Sequence, residues 1–360
     1  MTRFRINEID LLRFIAALAV VFFHYGFRSY VTGVLPVLPY PSAASVFKYG
    51  YLGVQLFFMI SGFVILMTAT GGSLREFIIS RIIRLYPAFW VCCTITFVTI
   101  TAIGESHSPA SFGQYLTNMT MLSGFVGVPS IDGVYWSLFV EIRFYALVAI
   151  ALLLGKIHKA QTFLIFWLAA SLVLEVYPIS KLRFLLITDY APFFVAGATF
   201  FLILSQGMSL ARGFIVVVSW ALALFVSIRE LPSVEIEAHT TMNSYVVAGI
   251  ITILFAVMML IASGRTGWFG RTRWMLAGVL TYPLYLLHQN IGFMVFRTAY
   301  SKINTHVLFW GILVTASISA YLVHIIFEKR LASQLKLKVQ MLSPDPTPCR
   351  LALGACEHKG

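Results

Sequence analysis

Ten long apolar segments constrain this chain more than any other feature of its sequence. A helix needs about 20 apolar residues to cross the hydrocarbon core of a bilayer. Lipid leaves no water to satisfy the backbone, so such segments fold as α-helices. Three of them, the fifth to the seventh, are short, and two of these three are compatible with a single re-entrant element. The segments lie at 9–27, 51–70, 85–103, 134–154, 160–177, 189–205, 213–228, 244–262, 276–298 and 306–328.

The composition agrees with a membrane protein. Only 11% of the residues are charged and 59% are hydrophobic, whereas a soluble domain carries about 25% charged residues. The net charge of +12 is a feature that nucleic-acid-binding proteins share. Here, however, the basic residues are scattered between the apolar segments, as membrane topology requires. We therefore expect an all-α, polytopic transmembrane helix bundle of about ten spans and no nucleic-acid partner.

The distribution of Lys and Arg predicts the orientation of the spans. If the N-terminus is cytoplasmic, the inner loops and the tail hold more than twice as many basic residues as the outer loops. The positive-inside rule then predicts that both termini are cytoplasmic. Residues 1–330 form one membrane domain on this interpretation. Residues 331–360 are basic and then rich in Pro, which predicts a partly disordered cytoplasmic tail.

The first apolar segment carries an arginine and a histidine on one face. Arg13 and His24 are eleven residues apart, which is about three turns of helix and roughly 16 Å. An ionisable side chain in a bilayer costs a few kcal/mol and normally faces a cavity, a bundle interior or a partner. The pair is therefore a candidate functional site. The alternative is an arginine that extends to the membrane surface and a structural histidine.

A second basic pair opens the third segment. Arg81 and Arg84 are three residues apart, just before Tyr86, and this spacing puts them on one face of a helix. Two guanidinium groups at this position are suited to bidentate binding of phosphates. Anchoring to anionic lipid is an equally good explanation of the same pattern.

Glu141 is the clearest carboxylate inside a predicted span, one turn after Ser137. A lone carboxylate in lipid needs a cationic partner, and Arg13, His24 and Arg143 are the candidates. We expect the partner to lie on the first helix. A pair with His24 indicates a catalytic role, whereas a pair with Arg13 indicates a clamp between helices.

Three further motifs lie in or beside predicted spans. Ser61 and Gly62 are small residues that favour tight helix packing. Tyr285 and His288 are three residues apart in the ninth segment. His324 and Glu328 are four apart at the end of the tenth, a spacing that allows a hydrogen bond. Each histidine taken singly is also compatible with a structural role.

Taken in order, these motifs resemble acyltransferase family 3, a family of integral membrane acyltransferases. The resemblance covers roughly residues 6–330. Gln55 departs from the family, in which many members carry an acid at that position. The matching pieces are Arg13 with His24, residues 53–63, residues 81–87, residues 136–141, and residues 282–288 followed by Glu328.

The resemblance implies that an acyl group, usually acetyl, is transferred from cytoplasmic acyl-CoA to a carbohydrate hydroxyl. The acceptor is then a precursor of a cell-surface or exported polysaccharide or a glycolipid, in the cytoplasmic membrane. Small-molecule acceptors also occur in the family. His24 is then a general base or a covalent acyl carrier, with Glu141 as a second catalytic candidate. Acyl-CoA is expected to bind Arg13, Arg81 and Arg84. Supporting or structural roles are expected for Asp10, Ser61, Tyr86, Trp136, Ser137, Tyr285, His288 and Glu328.

Two other classes of protein remain possible from the residues alone. Intramembrane Arg, His and Glu also line ion pathways, so a transporter or proton-coupled carrier is the main alternative. Paired helices broken by Gly or Pro, or inverted repeats, are typical of transporters, and the sequence has neither. A non-enzymatic sensor is the third class, and binding of acyl-CoA discriminates against it. No metal-ligand cluster is evident, and we expect no metal.

Overall fold

The computed structural model describes residues 6–103 and 110–341, with side chains as far as residue 335. Within these ranges every regular element is helical. The α-helices are α1 (Asn7–Phe23), α2 (Ser29–Val31), α3 (Pro41–Phe47), α4 (Gly53–Ala69), α5 (Leu74–Ile103), α6 (Phe112–Met119), α7 (Tyr135–Leu153), α8 (Ala160–Val176), α9 (Ser180–Leu186), α10 (Ala191–Gln206), α11 (Leu210–Arg229), α12 (Leu231–Ala238), α13 (Ser244–Ala262), α14 (Trp268–Arg271), α15 (Met275–Leu287), α16 (Gln289–Ala299), α17 (Thr305–Leu322) and α18 (Lys329–Met341).

Short turns of other helix types join some of these elements. Two turns of π-helix, His24–Arg28 and Val323–Glu328, continue α1 and α17. Turns of 3₁₀-helix lie at Gly50–Leu52, Ser123–Phe125 and Ile157–Lys159. π-Helical turns are rare inside α-helices, and those that do occur often lie at functional sites. Both of these turns contain residues that the sequence singled out, His24 and Glu328.

Nine helical stretches in the described part of the chain are long and apolar enough to cross a membrane. They correspond to nine of the ten predicted segments, and the prediction of an all-α polytopic bundle is confirmed. The fifth to seventh segments form separate helices, each long and apolar enough to cross a membrane. The ninth segment differs, because its helix is divided at His288 into α15 and α16. Of the predicted tail, residues 331–341 belong to α18, and residues 342–360 lie outside the described residues.

Small residues bring the central helices together. α4 and α10 cross at Gly62 and Gly197, where an added Cβ would strike the backbone carbonyls of Phe194 and Met59 respectively. Gly53 of α4 likewise lies against the carbonyl of Ala16 in α1. Close backbone approach of this kind replaces the hydrophobic driving force that is missing in lipid. The tight packing expected around Gly62 is confirmed.

α1 lies between α4 and α15, and this arrangement positions the polar residues. α1 and α15 run parallel, because Asp10 lies against Gly278 near their starts and His24 meets His288 near their ends. The segment between α5 and α7 folds back along α5, where Trp90 donates to the carbonyl of Met119 at 3.0 Å. The chain therefore brings the loop before α7 to the same region as the two histidines.

Candidate active site

His24 and His288 form a buried pair. Nε2 of His288 lies 3.1 Å from Nδ1 of His24, and the ring centroids are 4.9 Å apart. His24 begins the π-helical turn after α1, and His288 occupies the break between α15 and α16. Only 8% of His24 and none of His288 is exposed. The sequence proposed His24 as catalytic and His288 as supporting, and the fold brings them into contact.

The hydrogen-bond partners of the two rings assign their protons. Nδ1 of His24 is 2.8 Å from the carbonyl of Val20, and Nδ1 of His288 is 2.9 Å from the carbonyl of Tyr285. A carbonyl oxygen only accepts, so each neutral ring carries its proton on Nδ1. The single Nδ1–H of His24 then lies between two acceptors, the carbonyl of Val20 and Nε2 of His288. Nε2 of His24 keeps its lone pair and is the nitrogen that can take a proton.

Tyr25 links the two helical segments that carry the histidines. Its hydroxyl donates to the carbonyl of His288 at 2.7 Å, and its ring lies against Gly292, where an added Cβ would come within 2.5 Å. Tyr25 is fully buried. The first helix and the α15–α16 break are therefore held together at the level of the histidines by one side chain that the sequence reasoning did not single out.

Ser137 and Tyr285 form a second polar contact beside the pair. Their hydroxyl oxygens are 2.7 Å apart, and Ser137 donates to the carbonyl of Val134 at 3.0 Å. Because the Ser137 proton is used in this way, the Tyr285 hydroxyl is the donor to Ser137. Both residues were expected to support the site. Their contact ties the start of α7 to the helix that carries His288.

Asp132 is a buried acid that the sequence reasoning left among the loop residues. Its two carboxyl oxygens accept from the backbone N–H groups of Val134 and Asn290, each at 3.1 Å. None of its surface is exposed, and this burial raises the pKa of the carboxyl to about 7. An acid placed two residues before a predicted span is a capping signal, and that position was the one clue in the sequence.

Glu141 lies with Ser61 and Tyr145 rather than with the histidines. Ser61 donates to Oε1 of Glu141, and Tyr145 forms a side-chain hydrogen bond with the same carboxyl group. Arg13 interacts electrostatically with Glu141. The recorded polar contacts of His24 are with Val20 and His288. Of the two expected partners on the first helix, the structure puts Arg13 near Glu141.

Arg143, the third candidate partner, faces elsewhere. It donates to the carbonyl of Phe184 at 2.7 Å. Its guanidinium also stacks on the rings of Phe139 and Phe184, at 4.8 and 4.4 Å from their centroids. This arrangement satisfies the cation against α9. Arg143 is therefore not the partner of Glu141.

The three arginines proposed for donor binding have different surroundings. Arg84 contacts Glu328 at 3.3 Å, whereas Arg81 lies over the rings of Phe77 and Tyr145, 6.0 Å from each centroid. Arg13 interacts electrostatically with Arg84 as well as with Glu141. Arg13 and Arg81 therefore both lie near Tyr145 and Arg84 lies near Arg13, although Arg81 and Arg84 turn to different neighbours.

Several predicted residues fall outside both groups. His324 donates to Glu328 at 2.7 Å, which confirms the hydrogen bond expected from their spacing. The Tyr86 hydroxyl donates to the carbonyl of Thr120 at 2.9 Å. Trp136 is 42% exposed and packs edge-on against Phe58. Tyr86 and Trp136 have no recorded contact with either histidine among the described residues.

The comparison with protein families decides the class of this protein. A family model described as an acyltransferase domain matches residues 6–328. The chain belongs to acyltransferase family 3. The histidine pair and the arginine group both lie inside the matched region.

Two curated relatives agree with this assignment. The chain is 28% identical over 169 residues to a putative acetyltransferase, ORF330, of Acidianus two-tailed virus, covering 47% of this chain and 46% of that protein. It is also 28% identical over 165 residues to nodulation protein 10 of Rhizobium leguminosarum bv. viciae, covering 39% and 42% respectively. The chain thus spans less than half the length of these relatives. No solved structure matches it.

For an acyltransferase, the arrangement offers an unprotonated ring nitrogen at the end of α1 and a cationic region about three turns earlier along the same helix. Among residues 6–103 and 110–341, no group of three or more His, Cys, Asp and Glu is placed to hold a metal ion. The chemistry that these side chains themselves can perform is proton transfer at His24 and binding of anionic groups by the arginines.

Proposed function

We propose that this membrane acyltransferase moves an acyl group, acetyl in the first instance, from acyl-CoA to a carbohydrate hydroxyl in the cytoplasmic membrane. The observation that carries the proposal is the buried contact between His24 and His288, whose hydrogen-bond partners leave the lone pair of His24 on Nε2. Neutral imidazole is the side chain best suited to remove a proton near pH 7. Family membership favours this function over transport, the main alternative from the residues alone.

His24 acts as the general base in this proposal. The acceptor hydroxyl gives its proton to Nε2 of His24 while its oxygen attacks the thioester carbonyl carbon. The tetrahedral intermediate then collapses, the carbon–sulfur bond breaks, and the leaving thiolate takes the proton back from Nε2. The products are an ester and free CoA, and the histidine returns to its starting state.

His288 positions the base. It accepts from Nδ1 of His24 and thereby orients the ring, the role that a carboxylate plays in a Ser-His-Asp triad. When Nε2 is protonated, the positive charge is shared through the same hydrogen bond. A neutral acceptor stabilises this charge less than a carboxylate, which favours a base that releases its proton readily to the thiolate.

The arginine group is proposed to bind the anionic part of the donor. Charge-assisted contacts from guanidinium to phosphate are among the strongest hydrogen bonds in proteins. Arg81 is the best candidate, because its recorded contacts are two aromatic faces and the hydroxyl of Ser80. Arg84 already pairs with Glu328. The long neutral arm of acyl-CoA would then lead from this region toward His24.

A covalent route uses the same lone pair. Nε2 of His24 attacks the thioester, CoA leaves, and the acyl-imidazole then passes its acyl group to the acceptor hydroxyl. Rapid denaturation during turnover distinguishes the routes. Acyl label retained on the peptide that contains His24 supports the covalent route, and its absence supports direct transfer.

The proposal is tested with purified protein in nanodiscs, radiolabelled acetyl-CoA and a panel of sugars, glycolipids and lipid-linked oligosaccharides. We expect acceptor-dependent release of CoA and label in an alkali-labile ester. His158→Ala is the matched control, because His158 is an exposed histidine in the 3₁₀ turn Ile157–Lys159, distant in sequence from both His24 and His288. Failure to consume acetyl-CoA or longer acyl-CoA with every acceptor would reject acyl-CoA as the donor.

A further inference from the structure

The helix that carries His288 is interrupted at that residue, where α15 and α16 meet. In a continuous α-helix each N–H donates to the carbonyl four residues earlier, so the carbonyl of Tyr285 would receive the N–H of Gln289. Here the carbonyl of Tyr285 instead lies 2.9 Å from Nδ1 of His288. The interruption therefore supplies the acceptor that fixes the proton of His288 on Nδ1.

Asp132 contacts the α16 side of this interruption. Its Oδ2 accepts from the N–H of Asn290, which a continuous helix would direct to the carbonyl of Leu286. Its Oδ1 accepts from the N–H of Val134, at the start of α7. A fully buried carboxyl group that receives two backbone N–H groups is held in a single position. It stabilises a helix end that lacks an internal partner.

We propose that Asp132 is a positioning residue for acyl transfer. By holding the N–H of Asn290, it prevents α16 from continuing α15, so that the N–H of Gln289 does not occupy the carbonyl of Tyr285 and this carbonyl stays available to Nδ1 of His288. His288 then presents an unprotonated Nε2 to His24. The link to turnover rests on the proposed function, but the tautomer of His288 is a property of the protein that is measured without any substrate.

Asn118 provides a matched control in the same loop. Its side chain donates to the carbonyl of Pro129 at 3.0 Å and accepts from the N–H of Ile131 at 3.1 Å. Ile131 directly precedes Asp132, so Asn118→Ala loosens the same stretch of chain. It does so from the side of α6 and removes no contact with α16. A general effect of loop rigidity and a specific effect of the carboxylate are therefore separable.

The kinetic test compares Asp132→Ala, Asp132→Asn and Asn118→Ala as full-length protein in nanodiscs. We expect Asp132→Ala to lower kcat at least about tenfold with KM for acetyl-CoA within about twofold, as for loss of an orienting partner. Asp132→Asn should fall between it and the natural protein, because one amide oxygen satisfies one of the two N–H groups. Asn118→Ala should lose thermal stability and keep kcat within about twofold.

The second readout is the tautomer of His288, measured by NMR on protein with nitrogen-labelled histidine and assigned by comparison with His288→Gln. We expect the proton on Nδ1 in the natural protein and Asn118→Ala, and partly or wholly on Nε2 in Asp132→Ala. If that variant does not fold, Asp132→Asn supplies the same comparison.

Two results would overturn the inference. One is an unchanged tautomer in the folded Asp132 variants. The other is an equal loss of kcat in Asn118→Ala and Asp132→Ala, which would assign the effect to loop rigidity. Absence of acyl transfer in the natural protein would defeat the proposed function alone, because the tautomer measurement needs no substrate.

Discussion

The two polar regions along the first helix handle charge in opposite ways. At His24, the hydrogen-bond partners are neutral, the carbonyl of Val20 and the ring of His288, although the cation of Arg28 also interacts with it electrostatically. About 16 Å away along the helix, Arg13 interacts with charged groups that include Glu141 and Arg84. A neutral buried histidine pair is suited to moving protons, and a charged cluster to holding anions and joining helices. The predictions below test whether chemistry and binding divide in this way.

The largest effect is expected at His24. His24→Ala removes the base, which typically contributes roughly 10²–10⁴-fold, so kcat should fall by that factor while KM for acetyl-CoA changes little. Steady-state kinetics on folded protein measures both parameters. A fall in donor affinity with an unchanged kcat would place His24 in the binding region instead.

A smaller loss of turnover is expected from His288→Gln. Glutamine retains a hydrogen-bond acceptor for Nδ1 of His24 but cannot share positive charge as an imidazole does. Loss of a partner that orients a metal-ligating side chain costs about 10–100-fold, and we expect a fall of kcat in the same range for this orienting partner. Normal kcat would show that His24 needs no partner. The two histidines would then not act as a pair in turnover.

Binding effects are expected at the arginine end. Arg81→Ala should raise KM for acetyl-CoA by roughly tenfold or more, since a charge-assisted contact contributes about 1.5–3 kcal/mol. Arg13→Ala and Arg84→Ala should raise this KM by a smaller factor than Arg81→Ala, because Arg13 and Arg84 also interact with carboxylates. Direct measurement of donor affinity by calorimetry checks the order. Unchanged affinity in all three would return these arginines to a lipid-anchoring role.

Glu141→Gln is expected to affect folding more than chemistry. Breaking one side of a buried ion pair costs about 3–5 kcal/mol, and the cost here is smaller because Glu141 is only half-buried. The yield of folded protein and its unfolding temperature should fall, while activity per folded molecule stays nearly normal. Normal yield with a tenfold loss of turnover would support the catalytic alternative.

The smallest effect concerns pH and Asp132. Its pKa of about 7 in the folded protein is higher than the usual value near 3.9, so the folded state binds the additional proton. The stabilisation from this group is therefore present at low pH and lost as pH rises through about 7. The neighbours that interact with it are the phenols of Tyr25, Tyr135 and Tyr285 and the thiols of Cys92 and Cys93, ordinarily neutral in this range.

Thermal unfolding in detergent at about pH 5 and about pH 8 measures this effect. The unfolding temperature of the natural protein minus that of Asp132→Asn is the quantity compared. This difference should be smaller at the higher pH than at the lower pH. A difference that is independent of pH would show that the carboxyl group does not take up a proton on folding.

Helix positions could be predicted from the sequence because the bilayer sets the length of an apolar span. Local spacing was also informative, since His324 and Glu328 are four residues apart and their hydrogen bond forms within one turn. The break at His288 could not be predicted in this way. It depends on a carboxyl group from a distant loop, and the apolar pattern continues through it.

The composition of the site was harder to predict than its location. Arg13 and His24 marked the right helix, but the contact between His24 and His288 joins residues 264 positions apart, which no local period encodes. Asp132 was passed over because acids in loops are normally solvated, whereas the loop before α7 packs into the bundle. Tyr25 was missed because a tyrosine next to a histidine in an apolar run has no distinctive spacing.

The most direct test of the account is the protonation of His24 itself. NMR on nitrogen-labelled histidine, with His24→Ala used for assignment, reports which ring nitrogen carries the proton near neutral pH. The account predicts a neutral ring with the proton on Nδ1 and an unprotonated Nε2. A proton on Nε2 in the folded protein would contradict it, because that ring could not accept the proton of an acceptor hydroxyl.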